Sequence, residues 1–406
     1  MAKQNFPLGC SVVCISITLI HFVASMSFST SQSLINETST SETTTTKAFF
    51  IFGDSTVDSG NNNYIDTIPE NKADYKPYGQ NGFSQEPTGR FSNGRVIVDF
   101  IAEYAKLPLI PPFLQPNADY SNGVNFASGG AGVLVETNQG LVIDLQTQLS
   151  HFEEVRKLLA EKLGEEKAKE LISEAVYFIS IGSNDYMGGY LGNPKMQESY
   201  KPEQYVGMVI GNMTHAIQTL HEKGARKFGF LSLSPLGCLP ALRALNQEAN
   251  KGGCFEAASA LALAHYNALC NVLSTLEHVL EGFMYSNTNF YDWLQDTIDN
   301  PTKYGFKDGV NACCGSGPYG GMFTCGGTKK VKEFRLCDNV EDHVWWDSFH
   351  PTEKIHEQFA KVLWNNGPSP FWVGPYNLEN LFNNQINLTI GDVVDAPEIP
   401  HGEFSF

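Results

Sequence analysis

The sequence has few basic residues for its length. Its 406 residues include 27 Lys and Arg against 44 Asp and Glu, which gives a formal net charge of -17. Because the phosphates of nucleic acids attract Lys and Arg, this balance argues against a nucleic-acid-binding protein. It is compatible with a soluble protein that handles neutral or cationic partners.

After residue 25 the chain also lacks any apolar run long enough to span a bilayer. The first 25 residues do contain an apolar run. Lys3 provides a positive start, and the stretch from Phe6 to Ser25 is almost free of charge and ends in small residues, which predicts a signal peptide over 1–25. A signal anchor is the alternative, because this run is somewhat long. Residues 26–47 are rich in Ser and Thr and are expected to form a flexible leader.

Three Asn-X-Ser/Thr sequons, at Asn36, Asn212 and Asn387, fit a secretory route. We therefore expect a secreted protein, extracellular or in the cell wall, with glycans on these asparagines. No integral membrane segment is expected once the signal is removed. The tail over 383–406 is interpreted as either disordered or a vacuolar sorting signal, which makes the vacuole the alternative destination.

The nine cysteines lack the paired C-x-x-C spacing that is typical of zinc sites, so no metal is expected. Two of them fall in the predicted signal peptide, and the remaining seven predict three disulfides and one free thiol. Cys270 lies in an apolar helical pattern and is our choice for the free thiol. We expect one Cys238–Cys254 bridge and two bridges within a late group, with either of two pairings that avoid joining neighbours: Cys313, Cys314, Cys325 and Cys337.

Strand-like and helix-like segments alternate through the rest of the chain. Short apolar runs begin near residues 48, 123, 176, 227 and 283, and helical patterns are predicted over about 95–106, 141–175, 203–223, 257–280 and 352–366. Such alternation predicts a parallel sheet with helices on both faces. We see no internal repeat and no interdomain linker, so one domain is expected over 48–382.

Two short motifs have residues suited to nucleophilic catalysis. The first predicted strand ends in Gly53-Asp54-Ser55, and a sharp turn there would lift a serine hydroxyl to the edge of the sheet where open α/β sheets bind ligands. Asp347 precedes His350 by three residues, a spacing that can place a carboxylate beside an imidazole and fix its tautomer. Each motif alone is common and weakly specific.

Over nearly its whole length after residue 47, the chain resembles the plant branch of the GDSL (SGNH) esterases/lipases. The resemblance is based on five ordered blocks: Phe52 to Asn63 (FGDSTVDSGNNN), Pro87 to Arg95 (PTGRFSNGR), Gly123 to Gly132 (GVNFASGGAG), Ile181 to Asp185 (IGSND) and Asp347 to His350 (DSFH). The first block reads GDST instead of GDSL, but the family assigns no chemistry to that fourth position.

This resemblance implies a three-layer α/β/α sandwich around a parallel sheet of about five strands, the SGNH hydrolase fold. It also implies a catalytic triad of Ser55, Asp347 and His350. The implied oxyanion hole consists of the backbone N–H of Ser55, a glycine N–H and the side-chain amide of Asn184. For the glycine we choose Gly129 over its neighbour Gly130. No cofactor and no metal are implied.

The implied activity is hydrolysis of a small-molecule or lipid ester through an acyl-serine intermediate. The first alternative is an acyltransferase of the same fold, which would move an acyl group such as hydroxycinnamoyl to an alcohol or a sugar acid with the same triad. The second alternative is a catalytically idle binding or defence protein, against which the intact set of site residues argues.

For several polar and aromatic residues near the motifs we favour structural roles. Asp54 is interpreted as either a helix N-cap or an Asx-turn residue, and the asparagines at 61–63 as turn formers. Asp185 is expected to bond backbone instead of substrate. Asn125 is assigned to a polar network beneath the site. His343 and His356 are expected to be surface or packing residues. Trp345 and Trp346 fit either an acyl-pocket floor or the core.

Overall fold

The computed structural model describes residues 47–245, 247, 252–329, 331–365 and 372–384. The predicted signal peptide, almost all of the leader, the tail beyond residue 384 and the sequons at Asn36 and Asn387 therefore lie outside the described residues. Asn212 is described, and it lies exposed on a helix. Its glycosylation stays a prediction.

Five parallel strands form the central sheet, as predicted. They are β1 (Phe49–Gly53), β2 (Gly123–Asn125), β3 (Val176–Ser180), β4 (Lys227–Leu231) and β5 (Met284–Thr288). Their order across the sheet is β5-β4-β3-β1-β2. A short strand at Trp372–Val373, which the sequence did not predict, pairs antiparallel with β5 at one edge.

The first strand is apolar on both faces because helices cover both faces of the sheet. On one face Phe50 packs 5.3 Å from Phe152, measured between ring centroids. On the other face Phe49 lies 5.4 Å from Phe382. All five residues of β1 are buried. This double burial explains why a continuous apolar run, without alternation, marks the strand in the sequence.

Helices cover the sheet on both sides and complete the three-layer α/β/α sandwich. One layer contains α2 (Leu145–Leu163), α5 (Pro202–Glu222) and α7 (Glu256–Val279), and the other contains α1 (Ile97–Tyr104), α9 (Glu353–Asn365) and α10 (Leu378–Asn383). The remaining helices are α3 (Glu165–Glu174), α4 (Pro194–Ser199), α6 (Pro240–Leu245) and α8 (Phe290–Asp299). None of the helices in the described part of the chain has both the length and the apolar content needed to cross a membrane.

One predicted helix proves to be two. The helical pattern over 141–175 is broken at Gly164, whose φ of 85° ends α2 and begins α3. A glycine adopts this positive φ without the steric cost that a side chain would add. The sequence patterns also did not predict α8 or a π-helix at Asp185–Leu191, which begins five residues beyond the end of β3.

Disulfides hold the Gly- and Cys-rich segment after residue 305. Cys313 bridges Cys337 and Cys314 bridges Cys325, which selects one of the two predicted pairings. The predicted Cys238–Cys254 bridge is present, and Cys270 is a free, partly buried thiol. The late cysteines are therefore joined to one another, and their thiolates are not available as zinc ligands.

Candidate active site

Ser55 and Asn184 lie at the same edge of the sheet because they follow two neighbouring strands. In the register of β1 and β3, Gly53 faces Ser180, and the Asp54 N–H donates to the Ser180 carbonyl at 3.0 Å. Ser55 lies two residues beyond the end of β1, and Asn184 lies four residues beyond the end of β3. The carboxyl ends of the strands thus bring the predicted nucleophile and the predicted amide to one place.

The turn at Ser55 is held by its own backbone and by the preceding carboxylate. Asp54 Oδ1 accepts the Thr56 N–H at 2.9 Å, which is the Asx-turn role predicted for this residue. The Asp58 N–H donates to the Asp54 carbonyl at 3.1 Å. Gly53 leaves no room for a side chain, because a Cβ there would collide with the Ser180 carbonyl and with Val57. The hydroxyl of Ser55 is left partly exposed at the tip.

The Asp347–His350 segment reaches Ser55 from the far end of the sequence. His350 Nε2 lies 2.8 Å from Ser55 Oγ, and its Nδ1 lies 2.8 Å from Asp347 Oδ1. The backbone N–H groups of Phe349 and His350 also donate to Asp347 Oδ1, at 2.9 and 2.8 Å. The ring of Phe91 packs 4.9 Å from the imidazole, centroid to centroid. All three residues of the predicted triad are therefore in one hydrogen-bonded row.

Asp347 is completely buried, and burial alone would raise its pKa. The facing His350 imidazole, the nearby Lys329 ammonium and the Tyr78 hydroxyl outweigh burial and hold the pKa of this carboxyl well below its usual range. Asp347 is thus a carboxylate that only accepts hydrogen bonds.

Two residues behind Asp347 were missed by the sequence analysis. The Tyr78 hydroxyl donates to Asp347 Oδ2 at 2.6 Å, and Lys329 Nζ lies 3.4 Å from the Tyr78 oxygen. Tyr78 is fully buried and Lys329 is only 2% exposed. Burial lowers the pKa of Lys329 to about 8, although Asp347 and Glu70 act in the opposite direction. Both residues come from irregular segments, where no periodic pattern distinguishes a buried polar side chain from an exposed one.

Gly129 is our sequence-based choice for the oxyanion hole. Its N–H donates to Asp58 Oδ2 at 3.0 Å and is therefore occupied. Gly130 lines the cavity at Ser55 with a φ of 88°. Among the described residues, no acceptor takes the backbone N–H of Gly130 or of Ser55. The less favoured alternative, Gly130, thus fits the geometry better.

The side chain of Asn184 lies at the start of the π-helix and lines the same cavity. One of its amide hydrogens is directed to the Ala131 carbonyl at 2.9 Å, which fixes the orientation of the side chain. No other acceptor in the described ranges takes the second amide hydrogen. Asn184 is followed by Asp185, whose carboxylate accepts the N–H groups of Val133 and Leu134 at 2.8 and 3.0 Å, the backbone role that we predicted.

A buried polar network beneath the site joins the first block to the third. Asn61 donates its amide hydrogens to the carbonyls of Asn125 and Ala127, both at 2.8 Å, and Asn62 donates to the Gly129 carbonyl at 2.8 Å. Asn125 in turn donates to the Val57 carbonyl at 2.7 Å. The asparagines therefore fix the glycine-bearing loop against the Ser55 turn, a wider role than the turn formation predicted for Asn61 and Asn62.

The other residues given structural interpretations are mostly buried. His356 is 3% exposed, and burial, together with the nearby His350, lowers its pKa to about 3. His343 is partly buried, with Nδ1 3.3 Å from the Asn311 carbonyl. Trp345 and Trp346 are fully buried in the core, and Trp345 also forms part of the cavity wall.

A cavity of about 280 Å³ opens at Ser55, Asn184 and His350. One wall is apolar and includes residues from the end of β4, from the following loop and from α8: Leu231, Leu233, Leu236, Leu239, Phe290 and Leu294. The lining also includes polar residues, among them Glu70, Asn71 and Asn138. Nucleophile, base and amide thus meet beside a space that accepts an apolar group.

Comparison with known proteins agrees with this architecture. The sequence model of the family described as GDSL-like Lipase/Acylhydrolase matches residues 49–363. GDSL esterase/lipase 5 of Arabidopsis thaliana is 50% identical over 339 residues, which cover 82% of this chain and 87% of that protein. GDSL esterase/lipase 1 of the same plant is 47% identical over 84% of this chain and 91% of its own length. The GDSL lipase of Tanacetum cinerariifolium is 46% identical over 83% of this chain and 88% of its own length.

Proposed function

The chain belongs to the GDSL-like lipase/acylhydrolase family and is a carboxylic ester hydrolase, and from this premise we propose that it cleaves acyl esters through an acyl-serine intermediate on Ser55. The observation that carries this proposal is the 2.8 Å contact between Ser55 Oγ and His350 Nε2. A serine hydroxyl is a weak nucleophile until a neighbouring base removes its proton, and His350 is placed to do so.

In the acylation step, Ser55 Oγ attacks the ester carbonyl carbon while His350 Nε2 takes the hydroxyl proton. Asp347, hydrogen-bonded to Nδ1, keeps the proton on that nitrogen and stabilises the imidazolium that forms. The tetrahedral intermediate then collapses, the carbon–oxygen bond to the alcohol breaks, and His350 returns its proton to the leaving alcohol. Acyl-Ser55 remains.

In the deacylation step, water attacks acyl-Ser55 as His350 removes a proton from it. The acid leaves, and Ser55 recovers its hydroxyl proton from His350. In both steps the carbonyl oxygen becomes negative. We propose that the N–H groups of Ser55 and Gly130 and the free amide hydrogen of Asn184 stabilise this charge. The absence of a protein acceptor for the two backbone groups among the described residues supports this assignment.

The cavity supports an ester with at least one apolar part. Leucines and aromatic rings line the cavity that contains Ser55, and burying an apolar group against them is favourable. We therefore propose hydrolysis of esters with an apolar acyl or alcohol moiety as the main activity. Acyl transfer requires the same residues and differs only in whether an alcohol replaces water at acyl-Ser55.

We also propose that the protein is secreted and glycosylated. Three disulfides support this localisation, since such bridges form and persist in oxidising compartments. The exposed position of Asn212 on α5 would admit a glycan.

The decisive experiment combines active-site labelling with a partition measurement. A fluorophosphonate should modify the protein once per chain, and peptide mapping should place the label on Ser55. With a panel of 4-nitrophenyl esters, acid release and new-ester formation are then followed while an alcohol acceptor is increased. We expect acid release throughout. Negligible acid release with saturable transfer would replace hydrolase by acyltransferase, whereas label on another residue would overturn the mechanism.

A further inference from the structure

We propose that Tyr78 and Lys329 are positioning residues that act on the base of this enzyme through Asp347. The inference is conditional on the proposed triad, because it concerns how Asp347 and His350 are held. Neither residue touches Ser55 or the cavity opening, so neither is a catalytic group. Their effect depends on the hydrogen bonds that connect Lys329, Tyr78, Asp347 and His350 in a buried row, and on the positive charge of Lys329 at its end.

The direction of every hydrogen bond in this row is determined by its two ends. Lys329 Nζ lies 3.4 Å from the Tyr78 oxygen, and an ammonium group can only donate. Tyr78 therefore directs its own hydrogen to Asp347 Oδ2, 2.6 Å away. The carboxylate in turn can only accept, so the Nδ1 of His350 must hold the hydrogen between them. His350 Nε2 is then the unprotonated nitrogen that faces Ser55.

Burial makes this row effective. Lys329 is 2% exposed, Tyr78 and Asp347 are fully buried, and charges interact more strongly where water is excluded. Lys329 Nζ lies 3.7 Å from the centroid of the Phe323 ring and 5.6 Å from that of Tyr78. Phe323 is part of the cavity wall. The ammonium is thus held between aromatic faces, an arrangement that partly replaces its hydration.

The disulfides support the segment that carries Lys329. This residue lies between Cys325, bridged to Cys314, and Cys337, bridged to Cys313. The N–H groups of Cys313 and Cys314 donate to the carbonyls of Trp345 and Trp346, immediately before Asp347. The segment that carries Lys329 and the segment that carries Asp347 are therefore joined through Cys313 and Cys314.

The charge of Lys329 also has a predictable sign of effect. A cation behind Asp347 draws on the same carboxylate charge that would stabilise an imidazolium at His350, so replacing Lys329 by a neutral side chain should favour the imidazolium. The other charged or titratable groups that face these residues are Glu70 and Tyr75 toward Lys329, and Asp54 and His356 toward His350. All of them are retained in the variants below, except Tyr75 in its own control.

The test compares Lys329→Met, Lys329→Arg and Tyr78→Phe with two matched controls. Lys332→Met removes an exposed lysine of the same segment, whose Nζ donates to the Thr328 carbonyl. Tyr75→Phe removes a neighbouring phenol that donates to the Pro69 carbonyl, not to Asp347. The titration midpoint of the His350 imidazole is followed by NMR, with its signal assigned by comparison with His350→Asn. The rate of fluorophosphonate labelling is measured over the same pH range.

In Lys329→Met we expect both the imidazole midpoint and the acidic limb of the labelling rate to move up by about 1 pH unit. Tyr78→Phe should move them in the same direction and slow labelling roughly tenfold at neutral pH, because Asp347 loses a donor. Lys329→Arg and both controls should keep the wild-type midpoint. Should Lys329→Met fail to fold, Tyr78→Phe alone decides.

A folded Lys329→Met or Tyr78→Phe protein with the wild-type midpoint would overturn the inference, as would equal shifts in Lys329→Met and Lys329→Arg. Failure of the proposed function looks different. In that case wild-type protein would resist labelling and release no acid, while the NMR midpoints would still report whether Lys329 and Tyr78 act on His350.

Discussion

The carboxylate of Asp58 accepts the backbone N–H of Gly129 at 3.0 Å, with Oδ1 of the same carboxylate accepting the N–H groups of Gly60 and Asn61 at 2.7 and 2.8 Å. This fully buried side chain therefore joins the turn after Ser55 to the loop after β2. By occupying the Gly129 amide it leaves the next amide in the chain, that of Gly130, for the cavity.

Asn184→Ala tests the resulting oxyanion site. Removing one of three proposed donors should lower kcat about a hundredfold or more, because the charge it stabilises develops only in the transition state. KM should change little. The matched control is Ser183→Ala, which alters the adjacent cavity residue and should retain activity within a fewfold. Unchanged kcat in Asn184→Ala would remove this residue from the oxyanion assignment.

Ser55→Ala should eliminate ester turnover and fluorophosphonate labelling without a loss of stability, because Ser55 is partly exposed and, within the described part of the chain, its hydroxyl bonds to His350 alone. Thermal unfolding of the variant checks the fold. Ser234→Ala, at another serine of the cavity wall, provides the control and should be labelled at the wild-type rate. If folded Ser55→Ala turns over esters at more than a small fraction of the wild-type rate, the mechanism is contradicted.

Asp54→Asn should change how stability depends on pH. Burial raises the pKa of Asp54 to about 6, although its bonds to Thr56 oppose the rise. Since the folded pKa lies above the unfolded value of about 4, the unfolded chain loses this proton first, and the stabilisation present below pH 4 is lost as pH rises to 6. The free energy of unfolding of Asp54→Asn, relative to that of wild type, should therefore rise by up to about 3 kcal/mol between pH 4 and pH 6.

Urea denaturation at pH 4 and pH 7 measures this difference. The exposed carboxyl of Asp66 supplies the control, because Asp66→Asn should shift the unfolding free energy equally at both pH values. A constant difference between Asp54→Asn and wild type across the range would show that Asp54 titrates alike in the folded and unfolded states.

Thiol counting tests the cysteine assignments and the signal peptide together. In denaturant, the processed protein should react with one equivalent of a thiol reagent, at Cys270, because the other six described cysteines are bridged. In the folded protein this reaction should be slow, since burial raises the pKa of the Cys270 thiol. Three equivalents would indicate that Cys10 and Cys14, and with them residues 1–25, are retained.

The sheet and most of the helices could be predicted from the sequence because buried elements have recognisable patterns of apolar residues. The run at 49–53 is apolar throughout since both faces of β1 are covered, and α5 and α7 follow their predicted ranges within about a residue. The break at Gly164 was missed because the helical pattern continues on both sides of it. The edge strand at Trp372–Val373 has only two residues, too few to form a pattern.

The site was predictable only in part. Ser55 and His350 are 295 residues apart, and it was the resemblance, not their local patterns, that paired them. The direction of a single amide decides between Gly129 and Gly130, and that direction depends on the distant carboxylate of Asp58 and on the positive φ of Gly130. Tyr78 and Lys329 lie in irregular segments, so their meeting behind Asp347 is a property of the tertiary structure alone.

The adjacency of β1 and β3 has an evolutionary consequence. Neighbouring strands lie a fixed distance of about 4.8 Å apart, so the spacing between the Ser55 turn and the segment that carries Asn184 is set by backbone pairing. Much of the cavity wall, by contrast, comes from connecting segments, such as those that hold Glu70, Leu236 and Phe323. Mutation can remodel these segments without disturbing the spacing at the sheet. The spacing between Ser55 and Asn184 therefore belongs to the sheet, and substrate preference can change in the loops of such a scaffold without altering it.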